Sequence, residues 1–391
     1  MAHEIFSVHG LTIGILALIA AAWIIQAFRA LRGLAQLPQL ARFEPLRGEN
    51  CPKISIIFGA RDEAEALPAA LASLLAQEYT NYEVIAVDDR STDETPRILD
   101  ELVRRHANLK VVHVRELPES WLGKPHALQK GYEQSSGEWI VFTDADVHFA
   151  PDVLGRAIAL SQHDTLDHLT LFARLDLAGF WETTATIYFA VGFAFGVEPW
   201  RVPDEKSKRY MGAGYFQMLR RSVYEAIGTH RRLAFEVVDD MKLGKLVKLG
   251  GHRSGVAIAN TLVRLRWNQG LGELVRGVTK NFFAASGFSV VQSLAMIAGT
   301  LAVSVAPFVA LPFTHGFARL SAAAGSAVAV AFLAIEARRS GVNWLYGFTH
   351  PIGGLLFAYM LLRSMIVTLW QGGIVWRGTF YPLDELRKRM V

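Results

Sequence analysis

The sequence predicts an α/β protein, with a mostly parallel sheet flanked by helices and apolar helices before and after it. Three observations predict this. Between about residues 53 and 281, short apolar runs alternate with stretches whose apolar residues recur at helical spacing, the pattern of βαβ units. Three of the apolar runs end in paired acids. Segments long enough to cross a bilayer, about 20 residues each, lie towards both ends of the chain.

In chain order, the segment from Gly10 to Phe28 is apolar and uncharged. No Lys or Arg precedes it and no small-x-small cleavage site comes after it, so an anchor is expected in preference to a signal peptide. Arg29, Arg32, Arg42 and Arg47 come next and assign the adjoining α/β region to the cytoplasm. Cys51 is the single cysteine; it excludes an internal disulfide and suits a reducing compartment. Strands are expected at Ile54–Phe58, Glu83–Val87, Val111–Val114 and Ile140–Thr143, with helices over Glu65–Gln77 and Thr95–Arg105. In such a sheet ligands sit beyond the carboxyl ends of the strands.

The segment Asp176–Trp200 carries seven aromatic residues among small ones and reads as an amphipathic stretch on a membrane surface, lining a path for a lipid. Gly212-Ala-Gly214 precedes a helix over Arg221–Ile227. It lacks a Gly-x-Gly-x-x-Gly pattern, so dinucleotide binding is excluded, and close backbone approach to an acceptor is expected instead. Ser289–Phe313, Leu320–Glu336 and Trp344–Trp370 are apolar enough for membrane helices. Three full crossings would leave Arg377, Arg387, Lys388 and Arg389 outside, against the positive-inside rule. Either a break at Pro351-Ile-Gly-Gly354 makes the third region re-entrant or one segment lies in the interface; a cytoplasmic tail is expected. The organisation is then an anchor over 1–32, a cytoplasmic domain over 50–285, membrane helices over 286–376 and a basic tail over 377–391. The net charge of +4 is small and its excess lies near the membrane segments, which excludes nucleic acid as a partner.

The acids carry the chemistry. Asp62 and Glu63 come after the first strand, Asp88 and Asp89 after the second, Asp144 and Asp146 after the later one. Polar residues also begin loops and cap helices, a role expected for Asp93, but three acid pairs at one rim call for a cation. Val87-Asp-Asp-Arg-Ser-Thr-Asp-Glu-Thr95 followed by Thr143-Asp-Ala-Asp146 resembles the family 2 glycosyltransferases of the GT-A fold, over roughly Ile54 to Asn281. The resemblance implies a nucleotide-diphosphate sugar whose phosphates are bridged to the carboxylates by Mg²⁺ or Mn²⁺. It makes Asp146 the direct metal ligand with Asp144 beside it at the ribose or sugar. It lines the nucleoside pocket with Asp62, Glu63, Asp88 and Asp89, uridine being the expected base. It also sets Lys124, in Trp121-Leu-Gly-Lys-Pro-His-Ala-Leu128, beside the diphosphate; His126 is expected to pack or cap.

Asp239 and Asp240 open a helix. They serve its dipole, or, by the same resemblance, Asp240 is the general base that deprotonates an acceptor hydroxyl, with Asp239 on the acceptor side near Gly212 and Gly214. Val263-Arg-Leu-Arg-Trp267 resembles the Gln-x-x-Arg-Trp motif of processive synthases and ceramide glucosyltransferases, with Val263 at the Gln position; Arg266 and Trp267 are expected over the diphosphate. This departure and the few membrane segments weaken a polysaccharide-synthase assignment. Gly277-Val-Thr-Lys-Asn281 also resembles a segment of membrane-bound members, without an assigned role. The expected activity is inverting transfer of a hexose to a lipid or isoprenoid hydroxyl, in or on the cell membrane. Transfer to a polyprenyl phosphate, and a catalytically silent membrane scaffold, are the alternatives.

Overall fold

The computed structural model describes residues 8–48 and 50–391; the first seven residues of the expected anchor lie outside the described residues. Packing divides the chain into two compact units. One comprises residues 36–176, 199–267 and 375–391, the other residues 1–35, 177–198 and 268–374.

The first unit is built on a seven-stranded sheet. Its strands are β1 (Ile54–Ala60), β2 (Tyr82–Asp89), β3 (Leu109–Val114), β4 (Trp139–Asp144), β6 (His168–Phe172), β8 (Gln217–Arg220) and β9 (Ser254–Ile258), in the order β3-β2-β1-β4-β8-β6-β9. β1, β2, β3 and β4 are mutually parallel, and β8 runs antiparallel to both its neighbours. Alternate residues of β1 bury in opposite directions: Ile56 and Phe58 join one core with Leu71 and Leu99, and Ile57 joins the other with Leu128 and Leu246. Such two-sided burial is why the strands read as unbroken apolar runs. The register aligns Ala60 with Asp88 and Gly59 with Asp144, so the acid pairs emerge at one rim. A smaller sheet has the order β5 (His148–Phe149), β10 (Val263–Leu265) and β7 (Arg174–Leu175).

The expected helices form over Leu67–Leu75 and Thr95–Val103. Others cover Gly123–Glu133, Arg221–Ala226 and Asp239–Leu249. Residues 375–391 also fold into this unit.

The second unit is helical. Among the described residues, three helices are long and apolar enough to cross a membrane: Gly10–Gln36, Gly316–Arg339 and Trp344–Gln371. Two expectations are corrected here. Ser289–Phe313 is not one spanning helix; it is interrupted after Ser304, because Pro307 at the start of the next turn has no N–H to continue the ladder. The 15-residue piece Val290–Ser304 measures about 22 Å, short of the roughly 30 Å hydrocarbon core, and is bent by 118° from the helix Gly270–Ala285. Nor does Pro351 break the third region: it lies in the first turn of His350–Gln371, where proline is tolerated.

Gly353 and Gly354 pack there against Tyr188 and Ser304. The aromatic segment forms the helix Phe180–Val197, in which Glu182 to Tyr188 are buried consecutively. Seven successive buried residues cover every face of a helix, so this stretch has no single amphipathic stripe of the kind expected. Its Tyr188 hydroxyl shares a hydrogen bond with Ser304 at 2.6 Å, and Phe189 stacks on Phe282.

Candidate active site

At the carboxyl rim of the sheet, the acids divide into those that tie loops together and those left facing a gap. Asp88 is buried; one oxygen accepts from the Ser91 N–H at 3.1 Å and the other is 2.9 Å from His113 Nδ1. Asp62, with φ 55°, accepts from the Thr92 N–H at 2.7 Å and from its hydroxyl at 3.2 Å. Both therefore spend acceptor capacity on the Ser91-Thr92 turn. Asp93 behaves as expected of a turn residue, accepting from the N–H groups of Thr95 and Ala64. Asp89 is gripped by both ends of the neighbouring Arg90 guanidinium, at 2.8 and 3.1 Å. It lies so close to the start of the helix Gly123–Glu133 that a Cβ on Gly123 would be 2.5 Å from Asp89 Oδ2.

The gap is framed by Lys124, Asp144 and Asp240. Lys124 Nζ donates to Asp144 Oδ1 at 2.5 Å. Burial alone would lower its pKa, but Asp144, Asp239 and Asp240 together hold it well above the ordinary lysine value. Asp240 accepts from the Gly214 N–H at 2.9 Å and from the Met241 N–H at 2.7 Å. Burial, with Asp144 adding to it, raises its pKa even though Lys124 and these N–H groups pull the other way. Gly214 sits where the three meet: a Cβ there would be 2.9 Å from Asp144 Oδ2, 2.9 Å from Lys124 Nζ and 3.5 Å from Asp240 Oδ2. Gly212 has its backbone pressed on the same loop, since a Cβ would be 1.9 Å from the Asp240 carbonyl oxygen. A glycine at position 212 is thus a steric requirement, whereas a Cβ at position 214 would push the side-chain ends of Asp144 and Lys124 aside. Asp239 is buried, 3.8 Å from His230 Nε2.

Asp146, two residues after Asp144, has its pKa raised to about 7 by burial and by the charges of Asp144 and Glu63. Among the described residues no three His, Cys, Asp or Glu side chains converge as a complete metal cage. The hard-oxygen pair Asp144 and Asp146 suits a Mg²⁺-like ion that takes the rest of its shell from phosphate oxygens and water. Arg266 is exposed and Trp267 half-buried, directly after β10. The antiparallel pairing sets Arg264 opposite His148. His126 is buried and meets Trp121 edge-on at 5.5 Å, a packing role as expected.

Sequence reasoning missed two groups. Gln217 and His168 lie under Asp240: with its amide oxygen towards His168, Gln217 accepts from Nε2–H at 2.9 Å and donates to the Asp240 carbonyl at 3.3 Å. Burial pushes the His168 imidazole down to about 3, so it is neutral, and its Nδ1 is 3.1 Å from Ser254 Oγ. Strand residues that look like ordinary core polar positions give no warning of such a network. The second group is in the tail: Arg377 Nη2 donates to Glu63 Oε1 at 2.5 Å. Nothing in the local sequence pairs positions more than 300 residues apart.

The fold is of the GT-A class, and residues 55–228 match the family model described as glycosyl transferase family 2. Over that stretch the chain is similar to family 2 glycosyltransferases. It is 40% identical over 118 residues to a beta-monoglucosyldiacylglycerol synthase of Nostoc sp., a match covering 29% of this chain and 25% of that protein. It therefore spans a quarter of the length of this relative and of its counterpart in Trichormus variabilis. A 4,4'-diaponeurosporenoate glycosyltransferase of Staphylococcus aureus is 23% identical over 86% of this chain and 90% of its own length. Among solved structures, a mannosyltransferase from Pyrobaculum calidifontis in complex with GDP-Man and Mn²⁺ shares the fold, with a TM-score of 0.58, 20% identity, and coverage of 93% of this chain and 99% of that one.

Proposed function

We propose that the protein is a membrane-bound inverting glycosyltransferase that moves a hexose from a nucleotide-diphosphate sugar, UDP-glucose or one similar to it, to the hydroxyl of a lipid or isoprenoid. The observation that carries this reading is the convergence of Lys124, Asp144 and Asp240 on the gap at Gly214: a cation, a carboxylate at the donor side and a half-buried base within one substituent's reach. The lipid and isoprenoid acceptors named for the Nostoc and Staphylococcus relatives support the acceptor class, as do the apolar helices.

In this mechanism the donor's diphosphate lies against Lys124, whose retained positive charge compensates the leaving group. Mg²⁺ or Mn²⁺, when bound at Asp144 and Asp146, supplies electrostatic stabilisation of the departing diphosphate. Asp240 takes the proton of the acceptor hydroxyl as that oxygen bonds to the anomeric carbon and the bond from that carbon to the phosphate oxygen breaks. One displacement inverts the configuration. Arg266 and Trp267 close over the diphosphate, and Glu63 and Asp89 bound the nucleoside. The apolar helices hold the domain at the cytoplasmic face of the cell membrane.

The test is to incubate membranes containing the protein with a panel of labelled nucleotide sugars, extract the lipids and identify the labelled species by mass spectrometry. A labelled neutral glycolipid is expected. Label confined to polymer or protein overturns the acceptor class, and label on a polyprenyl phosphate replaces the hydroxyl acceptor with an anionic one.

A further inference from the structure

The tail beyond the last apolar helix folds onto the donor rim. Its hairpin pairs β11 (Gly373–Trp376) with β12 (Thr379–Pro382), and a helix, Leu383–Arg389, comes after it. The two turn residues, Arg377 and Gly378, have φ of 48° and 77°. A two-residue hairpin turn with both centres left-handed is the type I′ geometry, for which Asn-Gly is the favoured pair. Arginine there is strained, and residues held against their backbone preference gather at functional sites. Three of the seven non-glycine residues with positive φ among the described residues are Asp62, Arg90 and Arg377, all at this rim.

The side chain of Arg377 explains its position. Nη2 donates to Glu63 at 2.5 Å and Nη1 to the Arg61 carbonyl at 2.8 Å, so one guanidinium fixes both the acid and the backbone of the loop after β1. Further along, Tyr381 is buried, with the backbone of Gly123, the residue before Lys124, beside its hydroxyl. The Tyr381 ring meets Phe235 edge-on, and the Arg389 guanidinium lies 4.6 Å from the Phe235 ring centre. Lys245 donates to the Val391 carbonyl at 3.1 Å, and Lys242 donates to it as well. The tail thus grips the loops bearing Glu63 and Lys124 and the segment that bears Asp240.

We propose that Arg377 is a positioning residue for the donor: it holds Glu63 and the Arg61 carbonyl in the geometry that receives the nucleoside, so that donor affinity depends on a residue far outside the family domain. This rests on the assignment of Glu63 to the nucleoside pocket, and the experiment separates the two. UDP and GDP, each with Mn²⁺, are titrated into the full-length detergent-solubilised protein, and the tighter nucleotide is then used with Arg377→Asn, Arg377→Lys and Glu63→Gln; donor KM and kcat are measured alongside. Asparagine suits the I′ turn, so Arg377→Asn preserves the hairpin while removing the guanidinium; an unchanged or higher Tm verifies this. The expectation is about a tenfold loss of nucleotide affinity and a matching rise in donor KM, with kcat within about threefold and most of the loss recovered in Arg377→Lys.

Unchanged affinity in Arg377→Asn, with affinity lost in Glu63→Gln, overturns the role of Arg377 and leaves the pocket assignment standing. Unchanged affinity in both variants, or no nucleotide binding by the unaltered protein, removes the pocket assignment and the proposal with it. Tighter binding in Arg377→Asn overturns the proposal by making the tail a competitor of the donor.

Discussion

At the scale of single residues, the site separates two kinds of carboxylate by what surrounds them. Asp62 and Asp88 are saturated by turn N–H and hydroxyl groups or by an imidazole, whereas Asp240 is half-buried beside an ammonium that needs it negative. Asp240→Asn keeps the shape and removes the base, so kcat should fall roughly 10²–10⁴-fold with donor KM little changed; a polyprenyl-phosphate acceptor, already an anion, would leave turnover largely intact. The pKa of Asp240 is raised by burial. The active, deprotonated form is therefore reached only at higher pH than for an ordinary aspartate. The acid limb of the kcat profile should accordingly lie above the usual carboxylate range and disappear in the Asn variant. Asp239, Asp240, Asp144 and Lys124 were all legible in the sequence as charged residues at element boundaries. Gln217 and His168 were not, because their significance lies in a contact beneath the base that spacing along the chain does not encode.

At the scale of elements, strand ends and helix starts hold the site, and their fit depends on residues with no side chain or with a buried charge. A Cβ at Gly212 would collide with the Asp240 carbonyl, and one at Gly244 would lie 2.1 Å from the Met211 carbonyl, so the helix of the base packs backbone to backbone on the 211–214 loop. Gly212→Ala should cost about 1–3 kcal/mol and lower kcat by displacing Asp240; thermal unfolding and turnover measured together check both. In β2, Glu83 is buried among Ser55, the Ser136 N–H and Lys110. Burial raises its pKa, but these partners outweigh that and bring it down to about 2. A depressed carboxylate contributes stability above its unfolded pKa and loses it as pH falls, here between about 4.5 and 2. Glu83→Gln should therefore destabilise the protein by about 2 kcal/mol at neutral pH and flatten that part of the stability profile. Glu83 looked like an unremarkable strand residue, since a strand position does not announce three partners from three other segments.

At the scale of the whole molecule, the tail constrains the topology that the proposed function requires. Residues 375–391 belong to the same compact unit as the α/β domain, so in the proposed membrane-bound protein tail and domain share one side of the membrane and the chain crosses it an even number of times between them. Two spanning helices, Gly316–Arg339 and Trp344–Gln371, satisfy this if the bent pair Gly270–Ala285 and Val290–Ser304 enters and leaves on the same side. Arg339 at the end of the first of these helices is paired with Glu336 at 2.7 Å, which reduces the positive charge carried across. A cysteine at Gly341 should then react with an impermeant maleimide from the face opposite to a cysteine at Arg387; labelling of both from one face overturns the count. The sequence by itself determined the fold class, the acid pairs, the apolar segments and the family, because these rest on periodicity and on residue types at strand ends. Tertiary structure alone decided which acids are free and which tie loops, where an apolar run bends, and that Arg377 reaches Glu63. Each of those depends on chain segments meeting across long separations, where partner and direction are set by packing, and no local pattern carries that information.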